Sequence, residues 1–312
     1  MSKKHILVSE VGPRDGLQSI KTIMPTEAKK RWIKAMADCG IKEIEVGSFV
    51  PASLFPQLAD TAEIVRYAIA IEGLQVAALV PNFKGAVAAI EAGVHKLSIP
   101  FSVSETHCLK NLRRNHQEVI QEVAKISQYI AQLPVAQRPH FETSLSTAFG
   151  CTLEGVVAES KVLSSAEKLI EAGADEVGLS DTTGYANPAQ VTRLVNGIKS
   201  CVGNDKLTGV HLHNTRGLGL ANALAAIEAG IETIDSSMGG LGGCPFAPGA
   251  SGNIVTEDLV FMLQAMGFET GIDLPKLLLV RDILKQALPA EPLYGFTPDA
   301  GLPKGFVGSQ GS

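Results

Sequence analysis

Cysteine is sparse in this chain and irregularly spaced. Cys39, Cys108, Cys151, Cys201 and Cys244 are odd in number and contain no Cys-x-x-Cys pair. This speaks against a disulfide framework and for a reducing compartment. There is no basic run, and the net charge is −5, so the electrostatic footprint of a nucleic-acid-binding protein is missing. No apolar run approaches the roughly twenty residues of a membrane span. The segment Met1–Val8 turns apolar almost at once and leaves no room for a signal or transit peptide. The expectation is a cytoplasmic protein with neither nucleic-acid nor membrane partners.

What is present is a large core. The 312 residues are 45% hydrophobic and 19% charged, which fits one α/β barrel and not a disordered chain. An internal repeat points the same way. A small residue, Gly, an apolar residue, two polar residues and another apolar residue recur four times, at Gly40, Gly93, Gly173 and Gly230. Each copy follows a helical pattern and leads into a strand, so the glycine reads as a helix C-cap. The repeats lie 53, 80 and 57 residues apart, each interval long enough for two strand–helix units. Strands 2, 4, 6 and 8 are expected to begin at these marks. The odd strands are expected at His5–Glu10, Leu74–Val80, His140–Ser146 and Leu207–His213. Eight alternating units predict a (β/α)₈ TIM barrel over residues 1–288; a doubly wound open sheet is the alternative. One long helix is expected over Leu109–Leu133 and the last barrel helix over Thr256–Met266. An additional helix at Leu274–Leu288 and a loose Pro- and Gly-rich tail over residues 289–312 follow.

Barrel chemistry sits at the C-terminal ends of the strands. The densest stretch runs from Val210 to Glu257. It holds His211 and His213, which share one face of a period-two strand, then a glycine-rich loop with Cys244 at its crest, then Asn253. After strand 1 come Arg14, Asp15 and Gln18; after strand 2, Glu45; after strand 6, Asp181. Asp15, His211 and His213, with Asn253 as a possible amide donor, offer one hard oxygen and two nitrogens. That set suits Mg²⁺, Mn²⁺ or Zn²⁺, and the lack of a thiolate pair leans toward Mg²⁺ or Mn²⁺. Arg14 either holds an oxyanion or only fixes Asp15. Cys244 on a mobile loop makes sense as a proton carrier. Glu45, Asp181 and Glu257 either act directly or hold Arg14 or a histidine. Cys151 is placed near the pocket, and His5, His95, His107 and His116 are not read as ligands.

Together these motifs resemble the 3-hydroxy-3-methylglutaryl-CoA lyase family, within the metal-dependent barrel lyases and Claisen synthases. Val-Gly-Pro-Arg14-Asp15-Gly-Leu-Gln18 looks like the group's strand-1 signature. Gly-Gly-Leu-Gly-Gly-Cys244-Pro looks like the lyases' cysteine loop, and Ala-Ser-Gly-Asn253-Ile-Val-Thr-Glu257-Asp continues the match. The resemblance runs from about Ile6 to Leu288. It implies retro-Claisen cleavage of an acyl-CoA substrate to acetyl-CoA and acetoacetate. It further implies a divalent cation on Asp15, His211, His213 and Asn253, with Arg14 stabilising the enolate and Cys244 protonating it. Asp15 and His211 are the candidates for taking the hydroxyl proton. Lys21 matches a position that meets a CoA phosphate, or is a plain surface lysine. A homo-oligomer, dimer or higher, is the expected assembly.

One departure stands out. The lyases read His-x-His-Asp-Thr after strand 7, whereas this chain has His213-Asn214-Thr215-Arg216. Asn214 is similar to the synthases, and Arg216 is expected to add positive charge near the mouth. A related substrate such as citramalyl-CoA, a Claisen synthase of the isopropylmalate or homocitrate type, and a CoA- or metal-binding barrel without turnover are the competing readings.

Overall fold

The computed structural model describes residues 4–242 and 252–306. Eight parallel strands close into a barrel in chain order: β1 Leu7–Glu10, β2 Glu43–Ser48, β3 Gln75–Leu79, β4 Lys96–Ser102, β5 His140–Ser146, β6 Glu176–Asp181, β7 Gly209–Leu212 and β8 Thr233–Ser236. β1 pairs with both β2 and β8, which closes the cylinder. The barrel helices are α1 Thr26–Asp38, α2 Thr61–Ala68, α3 Phe83–Ala92, α4 Glu105–Leu112, α5 His116–Gln132, α6 Glu159–Glu171, α7 Pro188–Val202, α8 Gly219–Glu228 and α9 Thr256–Ala265.

The four repeat glycines all have positive φ, between 91° and 101°. At Gly40 an added Cβ would also lie 2.1 Å from the Gly271 carbonyl, so the position is closed to side chains twice over. β2, β4, β6 and β8 begin at Glu43, Lys96, Glu176 and Thr233, each shortly after its glycine.

Two expectations are corrected. The single helix expected over Leu109–Leu133 is two helices. Arg113 takes a left-handed conformation (φ 55°) that ends α4, and a capping box between Asn115 and Glu118 starts α5. Residues 289–306 of the expected loose tail are packed against the barrel. After α10 (Leu274–Ala287), the Tyr294 amide donates to the Gly239 carbonyl at 2.7 Å. Asp258 then accepts from the Phe296 and Thr297 amides at 3.0 and 2.7 Å and caps α11 (Phe296–Ala300). Residues 307–312 lie outside the described residues.

Helix faces and outward strand positions supply the apolar core, with Trp32, Ile44, Val76, Leu97, Phe141 and Leu179 fully buried. The inside of the cylinder is different. Inward positions of β2, β4, β5 and β6 carry Glu43, Lys96, Glu142 and Glu176, where barrels ordinarily stack branched apolar residues. Lys96 Nζ is 2.6 Å from Glu142 and 3.3 Å from Glu176. Gly178 makes room for this layer, since a Cβ there would sit 2.4 Å from Glu142 Oε1.

Candidate active site

Glu10, at the end of β1, organises the mouth. It is fully buried and accepts hydrogen bonds from the Gly12 amide (2.9 Å), the Met238 amide (2.9 Å) and the Thr256 hydroxyl (2.7 Å). One carboxyl group thereby joins the loop after β1, the loop after β8 and the start of α9. Gly12–Gly16 forms a tight turn whose Asp15 amide donates back to the Val11 carbonyl at 2.7 Å. A Cβ on Gly12 would lie 2.5 Å from Glu10 Oε1, so only glycine fits.

That turn presents Arg14 and Asp15 inward. The Arg14 guanidinium donates from Nε to Glu45 and from Nη1 to Asp15, both at 2.5 Å. Burial works against its charge, but Glu45 and Asp15 outweigh burial and it stays a cation. Burial would likewise raise the Asp15 carboxyl, yet Arg14, His211 and His213 hold it well below the ordinary carboxylate range. Glu45 therefore positions Arg14, one of the two roles expected for it.

β7 ends at Leu212, so His213 lies one residue past the strand, in an isolated bridge to Asn253. Its ring still faces the same side as His211, and the two Nε2 atoms are 3.1 Å apart. Nδ1 of His211 is 3.1 Å from Asp235 Oδ2 on the adjacent β8. Burial lowers the His211 pKa, but Asp235 and Asp15 reverse that and leave it raised. Burial and the neighbouring His211 push His213 down to about 4. Ligand atoms of Asp15, His211 and His213 all lie within 4.8 Å of one another. Asn253 is buried and donates from Nδ2 to Asp15 Oδ2 at 2.7 Å, so its amide reaches the same point. A carboxylate, two imidazoles and an adjacent amide are a donor set that fits a divalent cation.

Arg14, Asp15, Glu45, His211, His213 and Asp235 line a cavity of about 580 Å³ whose wall also includes Val50, Leu54, Phe55 and Arg113. Gln18 lines it as well, with its buried Oε1 unpartnered. Other expected residues lie elsewhere. Asp181 accepts from the Tyr185 and Ala186 amides at 2.9 and 3.1 Å and shapes the loop after β6; burial pushes it up to about 6 against those bonds. Glu257 is fully buried and pairs with Arg281 at 2.6 Å while accepting from the Gly239 amide at 3.0 Å. Lys21 is exposed and borders a separate small pocket with Glu291 and Tyr294. Cys151 is buried beside its own loop, where its sulfur accepts from the Leu153 amide. His107 lines the cavity and shares a 2.8 Å hydrogen bond with the Ser102 hydroxyl. Cys244 lies outside the described residues.

Asn214 and Arg216, the departure noted in the sequence, serve the loops. The Asn214 side chain accepts from the Gly219 amide at the start of α8. Arg216 donates to the Thr183 and Gly184 carbonyls and stacks on Tyr185 at 4.6 Å, so its charge is held at the surface of the β6 loop. Sequence reasoning missed Asp235, whose inward register beside His211 follows from period two along β8, and it missed the anchoring role of Glu10.

Fold and mouth together define a (β/α)₈ barrel whose carboxylate–imidazole cluster could hold a metal ion. Comparison with known proteins narrows the class. The family described as HMGL-like matches residues 5–284. The mitochondrial hydroxymethylglutaryl-CoA lyase of Mus musculus is 39% identical over 285 residues, covering 91% of this chain and 86% of its own length. The hydroxymethylglutaryl-CoA lyase YngG of Bacillus subtilis is 38% identical over 275 residues, covering 88% and 90%. An HMG-CoA lyase structure from Acinetobacter baumannii, in complex with coenzyme A and 3-methylmalate, superposes with a TM-score of 0.89 at 39% identity and covers 97% of both chains. The chain belongs to the HMGL-like family and is a carbon–carbon lyase.

Proposed function

We propose that this lyase cleaves 3-hydroxy-3-methylglutaryl-CoA to acetyl-CoA and acetoacetate, using Mg²⁺ or Mn²⁺. The observation that carries the reading is the convergence of Asp15, His211 and His213 within 4.8 Å at one end of a cavity that Arg14 also lines. Asp15, His211, His213 and Asn253 would hold the cation, which supplies Lewis acidity to the substrate hydroxyl and carboxylate. The remaining work falls to side chains. Asp235 fixes the ring of His211, and Glu45 aims the Arg14 guanidinium. Asp15 or His211 receives the hydroxyl proton, the C2–C3 bond breaks, and C3 becomes a ketone. Arg14 stabilises the thioester enolate, and Cys244 delivers the proton that completes acetyl-CoA.

Gln18 and the apolar rim at Leu54 and Phe55 orient the thioester, and Lys21, on the small pocket that shares Ser19 and Gly242 with this cavity, serves a CoA phosphate. The assembly in this reading is a cytoplasmic homo-oligomer, dimer or higher. Free cysteines support the compartment, and the exposed Leu279 and Phe296 on the C-terminal helices support the assembly. No helix among the described residues is long and apolar enough to cross a membrane. The test is release of acetyl-CoA from the thioester with Mg²⁺ or Mn²⁺ and after chelation. Turnover that survives exhaustive chelation would overturn the cation's part, and no release under any condition would overturn the substrate.

A further inference from the structure

Gly239 and Gly240, just past β8, both have positive φ, 63° and 61°. Successive glycines give a chain its widest conformational freedom, so a turn built on them keeps one shape only where its surroundings hold it. Gly239 is held through both of its backbone polar groups. Its amide donates to Glu257 Oε2 at 3.0 Å, and its carbonyl accepts from the Tyr294 amide at 2.7 Å. Arg281, on α10, joins these two partners. Its Nη1 donates to Glu257 Oε1 at 2.6 Å and to the Tyr294 carbonyl at 2.9 Å. Arg281 and Glu257 are both buried, so little water screens the clamp.

The far side of the turn touches the cation site. The Leu241 carbonyl accepts from the Ser237 hydroxyl at 2.7 Å and from Asn253 Nδ2 at 3.3 Å. Asn253 Nδ2 also donates to Asp15 Oδ2 at 2.7 Å. A backbone carbonyl and a carboxylate only accept, so both N–H bonds of the Asn253 amide are committed and Oδ1 is the atom left for a cation. An Asn253 turned the other way would present N–H groups, which do not ligate. The Leu241 carbonyl therefore helps select the ligating face of the amide. We propose that Arg281 is a positioning residue for the cation site. Through Glu257 and Tyr294 it fixes the Gly239–Gly240 turn, the turn aims the Leu241 carbonyl, and that carbonyl orients Asn253. This rests on the reading of Asp15, His211, His213 and Asn253 as the ligand set.

The experiment measures Mn²⁺ affinity without substrate, from the electron paramagnetic resonance signal of the free ion. It compares the wild type with Arg281→Met, Ser237→Ala and Lys29→Met. Ser237→Ala loosens the Leu241 carbonyl and leaves the buried ion pair intact. Lys29→Met is the control for lost stability alone, because Lys29 is equally buried and pairs with Asp60 at 2.6 Å on the α1–α2 side of the barrel. Arg281→Met and Ser237→Ala should each raise the Mn²⁺ dissociation constant about tenfold, the lower end of what a lost support behind a metal ligand costs. Lys29→Met should leave it unchanged. If Arg281→Met does not fold, Ser237→Ala against Lys29→Met decides. An unchanged constant in either folded test variant, or an equal rise in Lys29→Met, overturns the inference and leaves the ligand set standing. A wild type that binds no Mn²⁺ overturns the cation reading and this inference with it.

Discussion

Nε2 of His211 lies 3.1 Å from Nε2 of His213, too close for both nitrogens to carry protons. His213 is held neutral, pushed down to about 4 by burial and by its neighbour, so its lone pair is available at neutral pH. His213→Ala is expected to abolish retention of Mg²⁺ or Mn²⁺ through gel filtration, with the barrel still folded by circular dichroism. A full complement of metal in that variant would remove the histidine from the ligand set.

Arg14 depends on Glu45 for its aim. A hydrogen bond to a charged group contributes roughly 1.5–3 kcal/mol, so Glu45→Gln should lower kcat by about ten- to a hundredfold. Arg14→Lys should lose at least as much, because an ammonium cannot span Glu45 and Asp15 as the guanidinium fork does. Steady-state kinetics on both variants decide this, and a near-normal kcat for Arg14→Lys would deny the fork any part in catalysis.

Cys244→Ser should lower kcat by about 10²–10⁴-fold, the range of a lost general acid. Its metal content, measured by atomic absorption, should match the wild type. Normal turnover would remove the thiol from the mechanism.

Burial pushes Glu10 up to about 8, despite the lowering effect of the Met238 and Gly12 amides and the Thr256 hydroxyl. The folded protein then keeps a proton that the unfolded chain releases near 4.5. Glu10's contribution is fully present below about 4.5 and is lost as pH rises through about 8. Glu10→Gln carries the neutral shape permanently, so its urea midpoint should decline less than the wild type's between pH 5.5 and 8.5. Parallel declines would show that Glu10 is ionised in the fold.

Glu257 and Arg281 form a fully buried pair beneath the Gly239 turn. Glu257→Ala leaves a buried guanidinium without its anion, and a loss of about 3–5 kcal/mol in denaturant unfolding is expected. A loss below 1 kcal/mol would mean that the Tyr294 carbonyl alone satisfies Arg281.

Part of this protein was legible before any coordinates. The repeat glycines announced the helix ends because only glycine takes a positive φ there without strain, and they marked the starts of β2, β4, β6 and β8. Asp15, His211 and His213 were legible because strand period and barrel polarity are local rules. The break between α4 and α5 was also written locally, in Asn115-x-x-Glu118, but the apolar periodicity on both sides hid it. The tail looked loose because its proline and glycine content says nothing about the Asp258 carboxylate that caps it from α9.

Local spacing by itself determined the barrel and the histidine pair. Tertiary structure alone decided which charges share a space. Asp235 reaches His211 across 24 residues, Glu45 reaches Arg14 across 31, and Glu10 reaches Thr256 across 246. It also set Asp181 and Glu257 to holding loop amides and left a polar shaft below the mouth. The physical reason is that a side chain's direction follows from its own strand, while its partner follows from barrel closure and register, which no short stretch of sequence encodes.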